Sequence, residues 1–177
     1  MKSICVIGSG ISGSTVANLL SKKYKVDVYE KAKGIGGRSS HRRYLNKLGF
    51  DHGLQYISPK TSKFKKFCSG LQKKRVLKKW QGPHNFDHSK VLENKKHTKL
   101  IGAKGNNAIS KYLLRNIDCI FGYELSKIER IKKNWKLSFL NGDVKYYEIL
   151  IISIPFAQSK KLLKKFLPNF FLSLIHI

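Results

Sequence analysis

Gly8-Ser9-Gly10-Ile11-Ser12-Gly13, followed by Glu30 and then by Gly36-Gly37-Arg38, is the stretch that decides how this chain is read. Ahead of it, Ile4-Cys5-Val6-Ile7 is a short apolar run of the kind buried as a parallel strand. Behind it, Ile11, Val16, Ala17, Leu19 and Leu20 fall mostly on one helical face, and Ser21-Lys22-Lys23 closes that helix on its polar side. A strand, a glycine turn and a helix give each glycine a task. Gly8 permits the tight turn, Gly10 lets a diphosphate come close to the backbone, and Gly13 lets helix and sheet pack closely. The helix start then offers free N–H groups and a positive dipole end to phosphate oxygens.

Lys25-Val26-Asp27-Val28-Tyr29-Glu30 alternates like a second strand. It places a carboxylate about twenty residues past the glycines, where the ribose hydroxyls of a bound dinucleotide are held. An acid at that tip favours an unphosphorylated ribose. A Gly-Gly-Arg so soon after the acid points to FAD rather than to an ordinary nicotinamide dehydrogenase.

The chain has 177 residues, 41% of them hydrophobic, enough for one globular domain with a core but short for a complete flavoenzyme. No basic and apolar leader precedes the first strand, so a cytoplasmic protein is expected. Cys5, Cys68 and Cys119 are odd in number and unclustered, which fits a reducing compartment and no structural metal. The outlier is charge: 36 basic against 10 acidic residues, formally +26. Such a balance suits a polyanion binder or a lysine-rich genome. Only six of the basic residues are Arg, and no nucleic-acid-reading module interleaves them with aromatics, so no specific nucleic-acid partner is expected.

Further on, Tyr44-Leu45 and Gly49–Ile57 read as extended pieces, and Pro59 as a helix start. Lys60–Leu71 carries Phe64, Phe67, Cys68 and Leu71 at helical spacing. Val76–Trp80 reads as a strand. Pro83–His97 is polar and reads as loop or hairpin, with His84, His88 and His97 away from the spacing of a helical metal site. Helix is expected again over Asn107–Leu114, with two short strands around Gly122. Trp135–Phe139 meets the hairpin turn Asn141-Gly142, Ile149–Ile154 is apolar enough for a central strand, and Pro155 opens a last helix to about Leu167. The expected fold is α/β: a Rossmann-like βαβ domain with a parallel central sheet, a β-meander and an inserted partial substrate lobe.

Several segments resemble the renalase-like FAD/NAD(P)-dependent oxidoreductases of the flavin amine-oxidase superfamily, and the match covers nearly the whole chain. Gly36-Gly37-Arg38 with Arg42-Arg43 is similar to that family's second flavin motif, and Asp51-His52-Gly53-Leu54-Gln55-Tyr56 to its DHGAQY segment. Trp80-Gln81-Gly82 sits where a Trp-x-Gly is usual, Leu100–Ala108 is similar to a segment read as YVGxPGMxAL, and Ile154–Gln158 to AVPAPQ. Lys104 stands where Pro is expected and Asn106 where Met is expected, which implies a more polar loop.

The resemblance implies that Gly8, Ser9, Gly10, Ile11, Ser12 and Gly13 hold the diphosphate of FAD, and that Glu30, with Lys31 beside it, holds the adenosine ribose. It places Gly37 and Arg38 at the diphosphate and flavin side, where a rigid guanidinium can bridge phosphate oxygens. Gln55 and Tyr56 approach the isoalloxazine ring, and the backbone of Leu125 clamps the adenine. The implied domains are 1–58 with 99–167 for FAD and 59–98 for the inserted substrate part. Relatives continue for about as long again, so the chain is expected to be a C-terminally truncated piece, with 168–177 a non-native or truncated tail. The expected activity is hydride acceptance from a small reduced substrate, a dihydronicotinamide or an amine. No side chain reads as a catalytic acid, base or nucleophile, and neither a membrane partner nor a defined oligomeric state is legible. The rival reading is a basic polyanion-binding protein that uses the fold without redox turnover.

Overall fold

A computed structural model of the chain describes residues 2–44, 48–81 and 98–166. The expected loop at Pro83–His97, its three histidines and the tail at 168–177 lie outside the described residues. The chain divides into two compact units, Met1–Ile35 with Leu113–Ile177, and Gly36–Tyr112.

The first unit opens with β1 (Ser3–Ile7), α1 (Ile11–Leu20) and β2 (Lys25–Glu30). Much later it adds β7 (Cys119–Phe121) and β11 (Ile149–Ile152), completing a four-stranded parallel sheet in the order β11-β1-β2-β7. As the second strand in from the edge, β1 is buried on both faces, which explains its unbroken apolar run. Its period of two splits it between two cores. Ile4 and Val6 join Val26, Val28 and Ala17 of α1 on one face. Cys5 and Ile7 join Tyr29 on the other, against Leu125, Ile128, Leu137, Phe139 and Tyr147.

Those partners come from an antiparallel meander, β8 (Leu125–Ile131), β9 (Asn134–Phe139) and β10 (Val144–Tyr147). The hairpin turn falls at Asn141-Gly142, where Gly142 has φ +88°. A buried polar chain crosses this core: the Tyr147 hydroxyl donates to Asp27 Oδ2 at 2.7 Å and lies 2.7 Å from the Tyr29 hydroxyl. Helix α4 (Phe156–Leu163) follows Pro155 and is shorter than the sequence pattern suggests.

The second unit holds two ribbons, β3 (His41–Tyr44) with β4 (Leu48–Asp51), and β5 (Leu77–Lys79) with β6 (Leu100–Gly102). Its helices are α2 (Ser62–Lys73) and α3 (Ala108–Leu113), the latter ending in the first unit. Two expectations are corrected here. The extended run from Gly49 stops at Asp51, because Gly53 takes φ +105° and turns the chain. Helix α2 starts at Ser62 rather than at Pro59, capped by Thr61, whose hydroxyl accepts the Phe64 N–H at 3.3 Å. Only its later half is covered: Cys68 and Leu71 are buried, whereas Phe64 and Phe67 stay 38% and 37% exposed and stack on each other.

Candidate dinucleotide-binding site

The turn between β1 and α1 gives the three glycines different physical roles. Gly8 has φ +100°, a conformation that costs an L-residue, and a Cβ there would press on the Ser153 carbonyl and Ile154. A Cβ on Gly13 would overlap the Gly8 carbonyl oxygen, so that glycine fixes how closely α1 approaches the turn. Gly10 differs from both, since a Cβ there would meet nothing within 4 Å. It is also the N-cap of α1, with no side chain capping the helix and no acid in its first turn. The amides and positive end of α1 therefore open onto free space, as a diphosphate requires.

Glu30 closes the other side of this turn. Its Oε2 accepts the Ser9 N–H at 2.8 Å and the Ser9 hydroxyl at 2.7 Å, and its Oε1 accepts the Ala32 N–H at 3.0 Å. Glu30 and Ser9 are both buried. A carboxylate has about four acceptor positions, so three donors orient it and leave capacity for a ribose hydroxyl. The open Gly10, the uncapped helix start and the oriented Glu30 together fit the diphosphate and sugar of a dinucleotide.

The sequence pattern treats Ser9 as a phosphate-facing residue; its hydroxyl instead anchors Glu30. Ser14, which the pattern overlooks, donates its hydroxyl to the Ser9 carbonyl at 3.1 Å. Leu125 is buried in the core beside Tyr29, and its neighbour Tyr123 donates its N–H to the Glu30 carbonyl at 3.1 Å, so the start of β8 is tied to the tip of β2. Lys31 is exposed and 3.9 Å from the Glu124 carboxylate. Cys119 on β7 lies near Glu30: burial, then the Glu30 carboxylate, pushes its thiol up to about 11, with a hydrogen bond from Ser9 opposing. At neutral pH it is an uncharged thiol.

The remaining predicted residues lie in the second unit. Gly37 and Arg38 form a short 3-10 turn, both exposed, and the Arg38 carbonyl accepts the Leu54 N–H at 3.0 Å. Gln55 is exposed. Tyr56 is half-buried, edge-on to Trp80 with ring centroids 6.4 Å apart, and carries the Lys99 ammonium 4.4 Å from its centroid. The residue that organises this segment is Asn106, fully buried. Its Oδ1 accepts the Gly102 N–H at 2.9 Å, and its Nδ2 donates to the carbonyls of Leu54 at 2.7 Å and Gln55 at 3.2 Å. Its own N–H donates to Asp51 Oδ1 at 2.8 Å, and that oxygen lies 2.9 Å from His41 Nδ1. The departure from Met at 106 is thus a polar clip that fixes the Asp51–Gln55 backbone.

Comparison with known proteins agrees with the fold. The family model of the NAD(P)-binding Rossmann-like domain matches residues 6–71. Renalase from Mus musculus is 25% identical over 169 residues, 89% of this chain and 48% of the relative, so the chain spans about half the length of the curated relative it matches. The crystal structure of tetracycline destructase Tet(51) superposes over 92% of this chain and 41% of its own, with TM-score 0.63 and 16% identity. A structure from Exiguobacterium sp. 255-15, provisionally assigned as a protoporphyrinogen oxidase, superposes over 95% and 62%, with TM-score 0.69 and 10% identity. Among the described residues, no helix is long and apolar enough to cross a membrane. The parallel sheet and the glycine turn make this an α/β fold with a Rossmann-like domain; its residues 6–71 match the model of the NAD(P)-binding Rossmann-like domain, and in sequence the chain is similar to renalase.

Proposed function

We propose that the protein is an FAD-dependent oxidoreductase of the renalase and amine-oxidase type. The observation that carries this is Glu30 held by both donors of Ser9 beside the open start of α1, a cradle for the diphosphate and ribose of an adenine dinucleotide. The Gly36-Gly37-Arg38 motif and the similarity to renalase favour a flavin over a nicotinamide as that dinucleotide. When bound, a flavin supplies the acceptor for a hydride equivalent from a small reduced substrate, a dihydronicotinamide or an amine.

In this reading the Gly8–Gly13 turn would bind the diphosphate through the amides at its Gly10–Gly13 end, and Glu30 would orient the ribose through the capacity its three donors leave. The resemblance assigns the Arg38 guanidinium to the phosphate oxygens, which a rigid guanidinium would suit. The resemblance assigns Gln55 and Tyr56, whose backbone Asn106 holds, to the flavin ring, and the backbone at Leu125 to the adenine. The domains follow the same division as the resemblance, with 59–98 belonging to a substrate-facing lobe. No side chain is assigned a proton-transfer role.

The test is the spectrum and reactivity of the product of the whole gene. It is expected to purify yellow, or to become so on reconstitution with FAD, and to bleach anaerobically with a dihydronicotinamide or an amine. A product that takes up no flavin sinks the proposal; one that takes up flavin but is reduced by neither donor class sinks its substrate half.

A further inference from the structure

The second unit contains a cleft that the dinucleotide cradle does not use. It lies between α2 and the β5–β6 ribbon and has a volume of about 260 Å³. Lys65, Cys68 and Gln72 line it from one stripe of α2, at positions i, i+3 and i+7. Opposite them stand Lys79 and Leu100, directly paired across the ribbon and so on the same face of it. Pro59 and Thr98 also line it.

The chemistry is divided by depth. Cys68 and Leu100 are each 1% exposed and form an apolar floor, and burial pushes the Cys68 thiol up so that it stays neutral. The more exposed lining residues are polar: Lys65 and Lys79 carry ammonium groups, and Gln72 and Thr98 bring neutral hydrogen-bonding groups. Among the described residues, none of those lining it is acidic. The sequence from Pro59 to Gln81 holds nine basic and no acidic residues, so the local field reinforces that of the two lysines. The volume is below the common range of about 300–1,000 Å³ for drug-sized ligands, which selects a small molecule.

We propose that this cleft binds a small organic carboxylate, its apolar body on Cys68 and Leu100 and its charged group between Lys65 and Lys79. This goes beyond the flavin reading and stands or falls independently of it.

Hexanoate is the probe, titrated into the 177-residue chain at physiological salt and followed by amide and methyl NMR shifts. Saturable shifts are expected at Cys68, Gln72, Lys79, Thr98 and Leu100. Hexanamide, equal in shape but uncharged, is expected to bind about tenfold more weakly, a difference of about 1.4 kcal/mol. The Lys65→Met/Lys79→Met double variant is expected to lose a similar factor, whereas Lys22→Met/Lys23→Met in the first unit leaves binding unchanged. Inorganic phosphate is expected to bind more weakly than hexanoate. Equal binding of hexanamide overturns the proposal on the unmodified chain, whether or not the variants fold. Equal loss in the two double variants, or phosphate binding as tightly as hexanoate, reduces the effect to general attraction by a basic surface and overturns it as well.

Discussion

Glu30 receives two hydrogen bonds from one residue, Ser9, which offers its backbone N–H at 2.8 Å and its hydroxyl at 2.7 Å to the same carboxylate oxygen. The pair joins the start of the glycine turn to the tip of β2 across 21 positions of sequence. It sets the carboxylate before any ligand arrives, which lowers the ordering cost of binding.

Removing one member of this pair leaves the other buried and under-satisfied. Ser9→Ala deletes one bond and keeps the N–H, and is expected to cost about 1–2 kcal/mol of unfolding free energy. Glu30→Ala strands three donors and is expected to cost more, about 3 kcal/mol or above, even with relief from water entering the site. Urea unfolding of the three chains decides the matter. Equal stability of Glu30→Ala and Ser9→Ala would show that the carboxylate is not held as described.

Gly10 and Gly13 separate ligand access from packing. Gly10 has φ −65° and open space around its missing Cβ, so Gly10→Ala is expected to change stability by less than about 1 kcal/mol while narrowing the approach to the helix start. Gly13→Ala drives a Cβ into the Gly8 carbonyl, backbone that cannot move aside without breaking the turn. Its expected cost is about 3 kcal/mol or more, at the upper end of overpacking effects. Thermal unfolding should rank the two far apart, and a Gly13→Ala chain as stable as Gly10→Ala would contradict the close approach.

The difference between what was legible and what was not follows from the range of the interactions. The β1 run, the glycine turn, the alternation of β2 and the Asn141-Gly142 hairpin are local patterns, and each forms where its residues say. Phe64 and Phe67 fit a helical core stripe by spacing, but spacing cannot say that only the later half of α2 has a partner to cover it. Ser9 is ambiguous for a similar reason. Its place among the glycines suggests a phosphate contact, and only the parallel pairing of β1 with β2 brings Glu30 within reach of its hydroxyl. The role of Asn106 was the least accessible, since its partners Leu54 and Gln55 lie about fifty positions away in the chain and present only carbonyls, which no side-chain motif records.

Asn106 offers a direct test of that long-range clip. The residue typical of the resembled family at this position is Met, which is longer and has neither the amide donor nor the amide acceptor. Asn106→Met would leave the Gly102 N–H and the Leu54 and Gln55 carbonyls without this partner in a fully buried position. With about 1–3 kcal/mol for each buried group left unmade, and some relaxation, a loss of about 2–4 kcal/mol is expected. Full stability of the Met variant by thermal unfolding would mean that the loop tolerates the apolar residue and that the clip is dispensable.

Cys119 ties stability to alkaline pH. Its ordinary value is 9.0, and in the folded chain burial and the Glu30 carboxylate raise it to about 11. Below pH 9 the thiol is protonated in both states, so its contribution is fully present. As pH rises from 9 through 11 the unfolded chain releases a proton that the folded chain keeps, and that contribution is progressively lost. Lysines lose charge over the same range and relieve repulsion in a chain of net charge +26, so the raw pH profile mixes two opposed effects. Cys119→Ala keeps every lysine and removes only the thiol. The stability difference between the two chains is therefore expected to stay constant from pH 6 to pH 8 and then to shift in favour of the variant by about pH 10.5. A difference that holds constant to that pH would place Cys119 in an ordinary, solvated setting and detach it from Glu30.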